Sequence, residues 1–212
     1  MITKKESGTI ILAILFMSLI AVFNSNKIET ERFVFFLGIS AITIGLSVFS
    51  KKIIAYNLDI KLEHSIWKFQ RYWFTQASHL KTPLPMGLIL PLMLLIFSSG
   101  FFKLLTFLQF DAEALPSKAA KKYGRRRFST LMEWDESLII FWSTIIIFLI
   151  AFTAKSFGGE FLLTLSKFMF YYAAWNLIPF SKLDGMKLLM GSRHLYEFTL
   201  VITALAGFII LW

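Results

Sequence analysis

The chain has 212 residues, and more than half of them (57%) are hydrophobic, with phenylalanine alone accounting for 24. This apolar share exceeds that of average soluble domains, and the polar residues lie in short stretches between long apolar runs, which argues against a soluble enzyme or binding domain. The formal net charge is +9, but no recognised nucleic-acid-binding motif accompanies it. We therefore assign the excess Lys and Arg to loops beside anionic lipid headgroups and expect no nucleic-acid partner.

Five apolar segments predict transmembrane helices, because each approaches the roughly 20 residues that a helix needs to cross the hydrocarbon core of a bilayer. They lie at about residues 8–23, 34–54, 137–154, 161–180 and 196–212. Lys4 and Lys5 precede the first segment, as in a signal peptide, but no A-x-A-like cleavage site follows it. We therefore expect this segment to remain in the protein as a membrane anchor.

A further apolar segment, at about residues 84–110, is too interrupted for a simple span. Pro85 and Pro91 fall in its first half, and a Ser-Ser-Gly sequence at residues 98–100 divides it in the middle. Each half is short enough to dip into the membrane or to lie at its surface. We predict a re-entrant or interfacial helical hairpin at this place.

Charge placement favours the re-entrant arrangement. Residues 50–82 and residues 111–136 each carry six Lys or Arg side chains. These two basic loops lie on the same side of the membrane only if residues 84–110 enter and return, and an excess of Lys and Arg marks the cytoplasmic side. The predicted fold is an all-α integral membrane protein with about five transmembrane helices and this hairpin. It forms one polytopic domain over residues 1–212 in the cell membrane, with a cytoplasmic N-terminus.

The most specific motif lies at the end of the 161–180 segment. It begins at Asn176, has Pro179 at its fourth position, ends with Asp184 and Gly185, and reads N-x-x-P-x-x-x-L-D-G. Proline ends a helix because it lacks the backbone donor, and glycine permits the turn that aims the neighbouring carboxylate inward. The alternative interpretation is a helix stop followed by an unrelated turn.

This motif resembles the signature of the site-2 proteases, the zinc metalloproteases that cut within membranes. The resemblance implies that Asp184 is the third zinc ligand and that Asn176 and Pro179 line the approach of the substrate. A carboxylate is needed at this place because a catalytic zinc takes three protein ligands and one water.

Weaker likenesses extend this resemblance, to archaeal-type members of the family, over about residues 34–184. They lie at residues 55–59 and 63–67, after the second predicted span, and at residues 123–128 and 134–136, before the next clear span. The resemblance thus implies a site-2-protease-like core in which the second span corresponds to the zinc-binding helix of the family.

The residues at the position of the family's H-E-x-x-H motif cannot bind zinc or act as a general base. In that motif two His side chains one helical turn apart bind zinc, and the Glu is the general base for the bound water. Here the stretch begins with Ser47 and Val48 and ends with Lys51, so it offers neither imidazole nor carboxylate and places a cation at a ligand position. Asp184 is left as a vestigial ligand. No catalytic residue can be assigned, and no cofactor is expected.

Substitute ligands would require a rearranged site. His64, His79 and His194 fall on the same predicted side as Asp184, but no two of them have the i, i+4 spacing, and the chain contains no cysteine. Zinc would be the cofactor only if such a rearrangement existed.

These observations predict a catalytically silent pseudoprotease that binds transmembrane segments of other membrane proteins. Its substrate groove would be formed by Asn176, Pro179, Asp184 and Gly185. Two alternatives stay open: an active intramembrane zinc metalloprotease with non-standard ligands, and a small transporter or channel. The expected partners are the lipid bilayer, anionic lipid headgroups and transmembrane helices of other proteins.

Overall fold

The computed structural model describes residues 3–23, 30–71, 79–115 and 132–212. These ranges are mostly helical. Their elements in chain order are α1 (Lys4–Val22), α2 (Thr30–Asn57), β1 (Ile60–Ile66), β2 (Phe69–Arg71), β3 (His79–Leu84), α3 (Met86–Phe97), β4 (Leu108–Ala114), α4 (Glu133–Phe157), α5 (Glu160–Asn176), α6 (Asp184–Gly191) and α7 (Arg193–Leu211). By length and composition, α1, α2, α4 and α7 can each cross a membrane. The chain is therefore a membrane protein, as its composition predicts.

The helix ends follow from local sequence. The Thr3 hydroxyl accepts a hydrogen bond from the Glu6 backbone N–H at 3.3 Å and caps α1, and Ser192 caps α7 in the same way. The first turn of α4 is acidic and its last turn carries Lys155, which matches the sign of the helix dipole at both ends.

One predicted span is shorter than expected. The 161–180 segment forms α5, which has 17 residues and ends at Asn176. Pro179 lies three residues beyond this end, where a proline cannot continue the helix. The spans predicted at 8–23, 34–54, 137–154 and 196–212 coincide with the four long helices.

The helical hairpin predicted at 84–110 is wrong in its second half. Only the first half is helical, as α3, and the chain turns at Ser99 and Gly100, which both have positive φ. The returning chain then pairs with β1 as the antiparallel strand β4, in the register Ile66↔Leu108 to Ile60↔Ala114. A second small sheet pairs β2 with β3. These strands were not predicted, although Leu108–Ala114 alternates apolar and polar residues, because the start of this alternation was assigned to the apolar hairpin.

Because β1 and β4 pair, the chain that leaves β1 at Trp67 returns beside it at Phe107. The Trp67 backbone N–H donates to the Phe107 carbonyl at 2.9 Å, and the Gly87 N–H donates to the Trp67 carbonyl at 2.9 Å. A Cβ at position 87 would collide with the Phe107 backbone, so only glycine fits where α3 begins.

Three apolar clusters hold the helices together. The first joins α1 and α2 to the chain after α3 through Met17, Ile44 and Phe107. The second lies between α2, α4, α5 and α7, and the third joins the end of α2, the β1–β4 sheet, α4 and α6. The end of α2 therefore lies against both the sheet and α6, where the sequence motif is found.

Candidate functional site

The motif residues place Asp184 at the start of α6. After α5 ends at Asn176, residues 177–183 form a turn, and Asp184 is the first helical residue that follows. A Cβ on Gly185 would collide with the backbone of Leu177 and Ile178. Gly185 lies in ordinary helix without a positive φ, so glycine is required here for the close approach of two backbones and not for a left-handed conformation. It allows α6 to begin against the end of α5, which carries Asp184 toward α2.

The carboxylate of Asp184 forms an ion pair with the ammonium of Lys51 on α2. The distance from Nζ to Oδ2 is 2.5 Å, and each side chain is only 7% exposed. The Lys51 ammonium also lies 5.3 Å from the centre of the Phe110 ring. The other carboxylate oxygen, Oδ1, is buried and has no hydrogen-bond partner among the described residues. This Lys51–Asp184 pair is therefore a buried ion pair with part of its hydrogen-bonding capacity unused.

The side chains around the Lys51–Asp184 pair close the site. Ser47 lies one helical turn before Lys51, and Tyr172 and Asn176 of α5 face it. Asn176 is buried, and its side-chain N–H donates to the Tyr172 carbonyl at 2.9 Å. The remaining cavity measures about 10 Å³, which is room for one water at most. No polypeptide can reach Asp184 in this conformation.

Val48 does not belong to this site. Its side chain is 5% exposed and packs with Ala13 and Met17 of α1. Of the three positions at which the resemblance places lost catalytic groups, the structure brings Ser47 and Lys51 beside Asp184 and turns Val48 toward α1.

The residues at this place do not fit a zinc ion. Asp184 is the one acidic or imidazole side chain lining the small cavity, and an ammonium lies against it. Among the described residues, no group of three or more His, Asp or Glu side chains is arranged to hold a metal. A catalytic zinc site needs three such ligands.

A second buried charge cluster lies one residue further along α2. The Glu6 side chain is 2% exposed and accepts from the Lys52 ammonium at 2.7 Å and from the His64 backbone N–H at 3.1 Å. Its Oε1 also lies 3.0 Å from His64 Nδ1. We call Glu6, Lys52 and His64 the Glu6 cluster. It ties α1 to β1 and α2. Its only sign in the sequence is the single acidic residue at the start of an apolar helix.

Burial determines the protonation state of the His64 imidazole. Loss of water contact, and then the positive charge of Lys51, lowers the pKa of His64 to about 4, although Glu6 acts in the opposite direction. The imidazole is therefore neutral at pH 7. Its Nε2 is buried without a hydrogen-bond partner among the described residues.

Of the other two candidate histidines, His194 is not brought to Asp184. His194 is 97% exposed at the start of α7 and lies 4.0 Å from a carboxylate oxygen of Glu197. His79 lies in β3, opposite Arg71, and its side chain falls outside the described part of the structure. The sequence-based suggestion of substitute ligands is thus wrong for His194, and His64 is engaged by Glu6.

The open surface near the motif is apolar. Ile178 and Phe180 are 40% and 47% exposed, and Pro179 between them is also exposed. The Phe180 ring stacks on Phe69 and meets the Trp67 ring edge to face. We call residues 178–180 the exposed turn.

Comparison of the chain with models of known families, with curated proteins and with solved structures gives no significant match. The function must therefore be inferred from the motif and from the geometry of its residues.

Proposed function

We propose that this protein is a catalytically silent relative of the site-2 proteases that binds transmembrane segments of other membrane proteins without cutting them. The observation that carries the proposal is the Lys51–Asp184 pair. The resemblance aligns position 51 with a zinc ligand and Asp184 with another, and these two side chains, 133 residues apart, are in contact. A contact between these two positions is what the resemblance leads one to expect.

The path of the chain between β1 and β4 supports the same core. Because these strands pair antiparallel, residues 67–107 leave the sheet and return to it. If this segment is re-entrant, the basic residues of 50–82 and 111–136 would share one side of the membrane, and the excess of positive charge would make that side cytoplasmic. The N-terminus would then be cytoplasmic as well. The six basic residues of the second loop lie outside the described residues.

The proposed lack of proteolytic activity follows from the side chains at the site. The ammonium of Lys51 repels a metal cation, and Ser47 offers a hydroxyl where the family has an imidazole. Val48 supplies no general base and faces α1. Of the two alternatives, an active protease would need the Lys51–Asp184 pair to separate. A channel would need a passage beside Asp184, where the cavity holds one water at most. Neither alternative is favoured by an observation on the described residues.

Binding takes place outside the closed site. The exposed turn presents apolar side chains at the end of α5, where a membrane-embedded partner would meet them in place of lipid. Association of apolar helices in lipid depends on close packing, and the aromatic contacts of Phe180 hold its ring in one orientation. Anionic lipid headgroups are the expected partners of the basic loops.

The test measures binding and cutting in one experiment. The purified protein, reconstituted in nanodiscs with added zinc, is mixed with a fluorescent apolar transmembrane peptide, and energy transfer reports association from a dye placed near the exposed turn. We expect the peptide to bind and to remain intact by mass spectrometry. Phe180→Asn should weaken binding, because a polar side chain disturbs the apolar contact.

A matched control separates the exposed turn from general hydrophobicity. Leu205 of α7 is 60% exposed, and Leu205→Asn should leave peptide binding unchanged. Zinc-dependent cleavage of the peptide would show that the protein is a protease. Equal loss of binding in both variants, or no binding at all, would remove the exposed turn as the binding surface.

A further inference from the structure

A large apolar groove lies on the other side of α5 from the Lys51–Asp184 pair. It has a volume of about 690 Å³ and lies between α1, α2, α5 and the chain that follows α3. Aromatic rings dominate its walls, among them Phe36, Phe102, Phe168, Tyr171 and Trp175. Its volume lies within the range of about 300–1,000 Å³ that is usual for small-molecule sites. The groove therefore suits one slender apolar chain better than a whole helix.

Among the residues that the structure describes, Lys103 is the only charged one in the wall of this groove. Its ammonium donates to the Ala21 carbonyl at 2.7 Å, at the C-terminal end of α1 where helix carbonyls lack intrahelical partners. An ammonium has three donors, and no carboxylate among the described residues forms an ion pair with Lys103. The groove thus combines apolar walls with one ammonium group whose remaining N–H donors can bind a ligand.

Lys103 lies at the end of α1 that points away from the β1–β4 sheet. Glu6 and Ala21 are separated by fifteen residues of α1, which is about 22 Å along a helix. Glu6 contacts the β1–β4 sheet at one end of α1, and Lys103 contacts Ala21 at the other. From Phe168 to Trp175 the groove follows α5 for about 10 Å. One leaflet of hydrocarbon is about 15 Å thick, so the groove can hold about two thirds of the length of an acyl chain in one leaflet.

We propose that this groove is a site for an anionic phospholipid, with the acyl chain along α5 and the headgroup phosphate beside the Lys103 ammonium. The charge and the volume of the groove match this occupant, and its length covers the upper part of the acyl chain. The proposal does not depend on the proposed function, because the groove is separate from the exposed turn except at Ile178.

Quenching of Trp175 by brominated lipids tests the proposal. The protein is placed in phosphatidylcholine vesicles that contain increasing fractions of acyl-brominated phosphatidylglycerol or acyl-brominated phosphatidylcholine. The contribution of Trp175 is the difference in quenching between the wild type and Trp175→Phe. One Lys beside an anionic headgroup corresponds to about a fivefold preference. We therefore expect the anionic lipid to quench Trp175 at about one fifth of the mole fraction required for the zwitterionic lipid.

Two substitutions at position 103 and one control locate the headgroup. Lys103→Met should abolish the preference and Lys103→Arg should keep it. Lys155 makes the same kind of bond, to the Ile209 carbonyl near the end of α7 at 2.6 Å, but it does not line the groove. Lys155→Met should therefore keep the preference. Ala174→Phe, which fills the groove, should reduce Trp175 quenching by both lipids, and circular dichroism checks that each variant is folded.

Three results would overturn the proposal. The first is equal quenching by the two lipids in the wild type, and the second is an unchanged preference in folded Lys103→Met. The third is protection of Trp175 by a transmembrane peptide carrying one glutamate, if that protection is lost in Lys103→Met, because the groove would then belong to a protein segment.

Discussion

Two buried charge clusters meet at neighbouring lysines of α2, and they differ in how completely their charges are satisfied. In the Glu6 cluster one carboxylate accepts from an ammonium and a backbone N–H and also contacts an imidazole nitrogen. In the Lys51–Asp184 pair one ammonium meets one carboxylate oxygen, and the second oxygen has no partner among the described residues. The Glu6 cluster is built as a structural tie between α1, β1 and α2. Under the proposed function, the Lys51–Asp184 pair would be the remnant of a ligand set whose geometry has been kept.

The largest effect is expected from Lys51→Met. This change leaves the Asp184 carboxylate buried without a counter-charge, and breaking a buried ion pair in this way typically costs about 3–5 kcal/mol. The free energy of unfolding, measured by titration with a denaturing detergent, should fall by that amount. Adding Asp184→Asn to the same chain should restore most of the stability, because no unpaired charge then remains. A double variant as unstable as the single one would show that the loss was due to packing.

A smaller effect is expected from pH, through the Glu6 cluster. The pKa of His64 is lowered to about 4 by burial and by Lys51, whereas that of an unfolded histidine is about 6.5. The unfolded chain therefore binds more protons between these values, so the contribution of neutral His64 is complete above about pH 6.5 and is lost as the pH falls toward 4. Between pH 7.5 and pH 5 the free energy of unfolding should decrease by about 2 kcal/mol. His64→Gln should remove this decrease, and a wild type with no slope in that window would contradict a buried neutral imidazole.

Lys52→Met, one residue from the first substitution, should cost less than Lys51→Met. The Lys52 side chain is 20% exposed, and Glu6 keeps its contacts with His64 when the ammonium is removed. A hydrogen bond to a charged group contributes about 1.5–3 kcal/mol, and we expect a loss of about 1–2 kcal/mol because water can partly replace it. If Lys52→Met cost as much as Lys51→Met in the same detergent titration, the contrast between the two clusters would disappear.

The smallest effect is expected at an exposed pair. Arg193 and Glu197 form an i, i+4 ion pair on α7 at 2.8 Å, with side chains 80% and 54% exposed. Such pairs contribute about 0.3–0.5 kcal/mol. Glu197→Gln should therefore lower the free energy of unfolding, measured by the same titration, by no more than that amount. A larger loss would mean that the titration also reports changes unrelated to buried charge.

The sequence predicted the helical and membrane class because long apolar runs are decisive in a bilayer. It predicted the contact side of α2 only through the resemblance, since nothing in residues 47–51 by themselves indicates a partner. The strands β1 and β4 were missed although Leu108–Ala114 alternates apolar and polar residues, because the alternation begins inside an apolar run and its partner strand is about 50 residues away. The Glu6 cluster was missed for the same reason: Glu6 and His64 are 58 positions apart, and only the fold brings them together.

The zinc content of a repaired chain tests the central claim most directly. In Ser47→His/Lys51→His the two imidazoles would stand one turn apart on the face of α2 that meets Asp184, and three protein ligands plus water complete a zinc site. Val48 is left unchanged, because it packs against α1. We expect about one zinc per folded chain in this variant. Zinc should be absent from the wild type and from the same variant carrying Asp184→Asn. A folded double variant without zinc, or one that keeps its zinc after Asp184→Asn, would contradict the claim that the Lys51–Asp184 pair stands in the place of a metal.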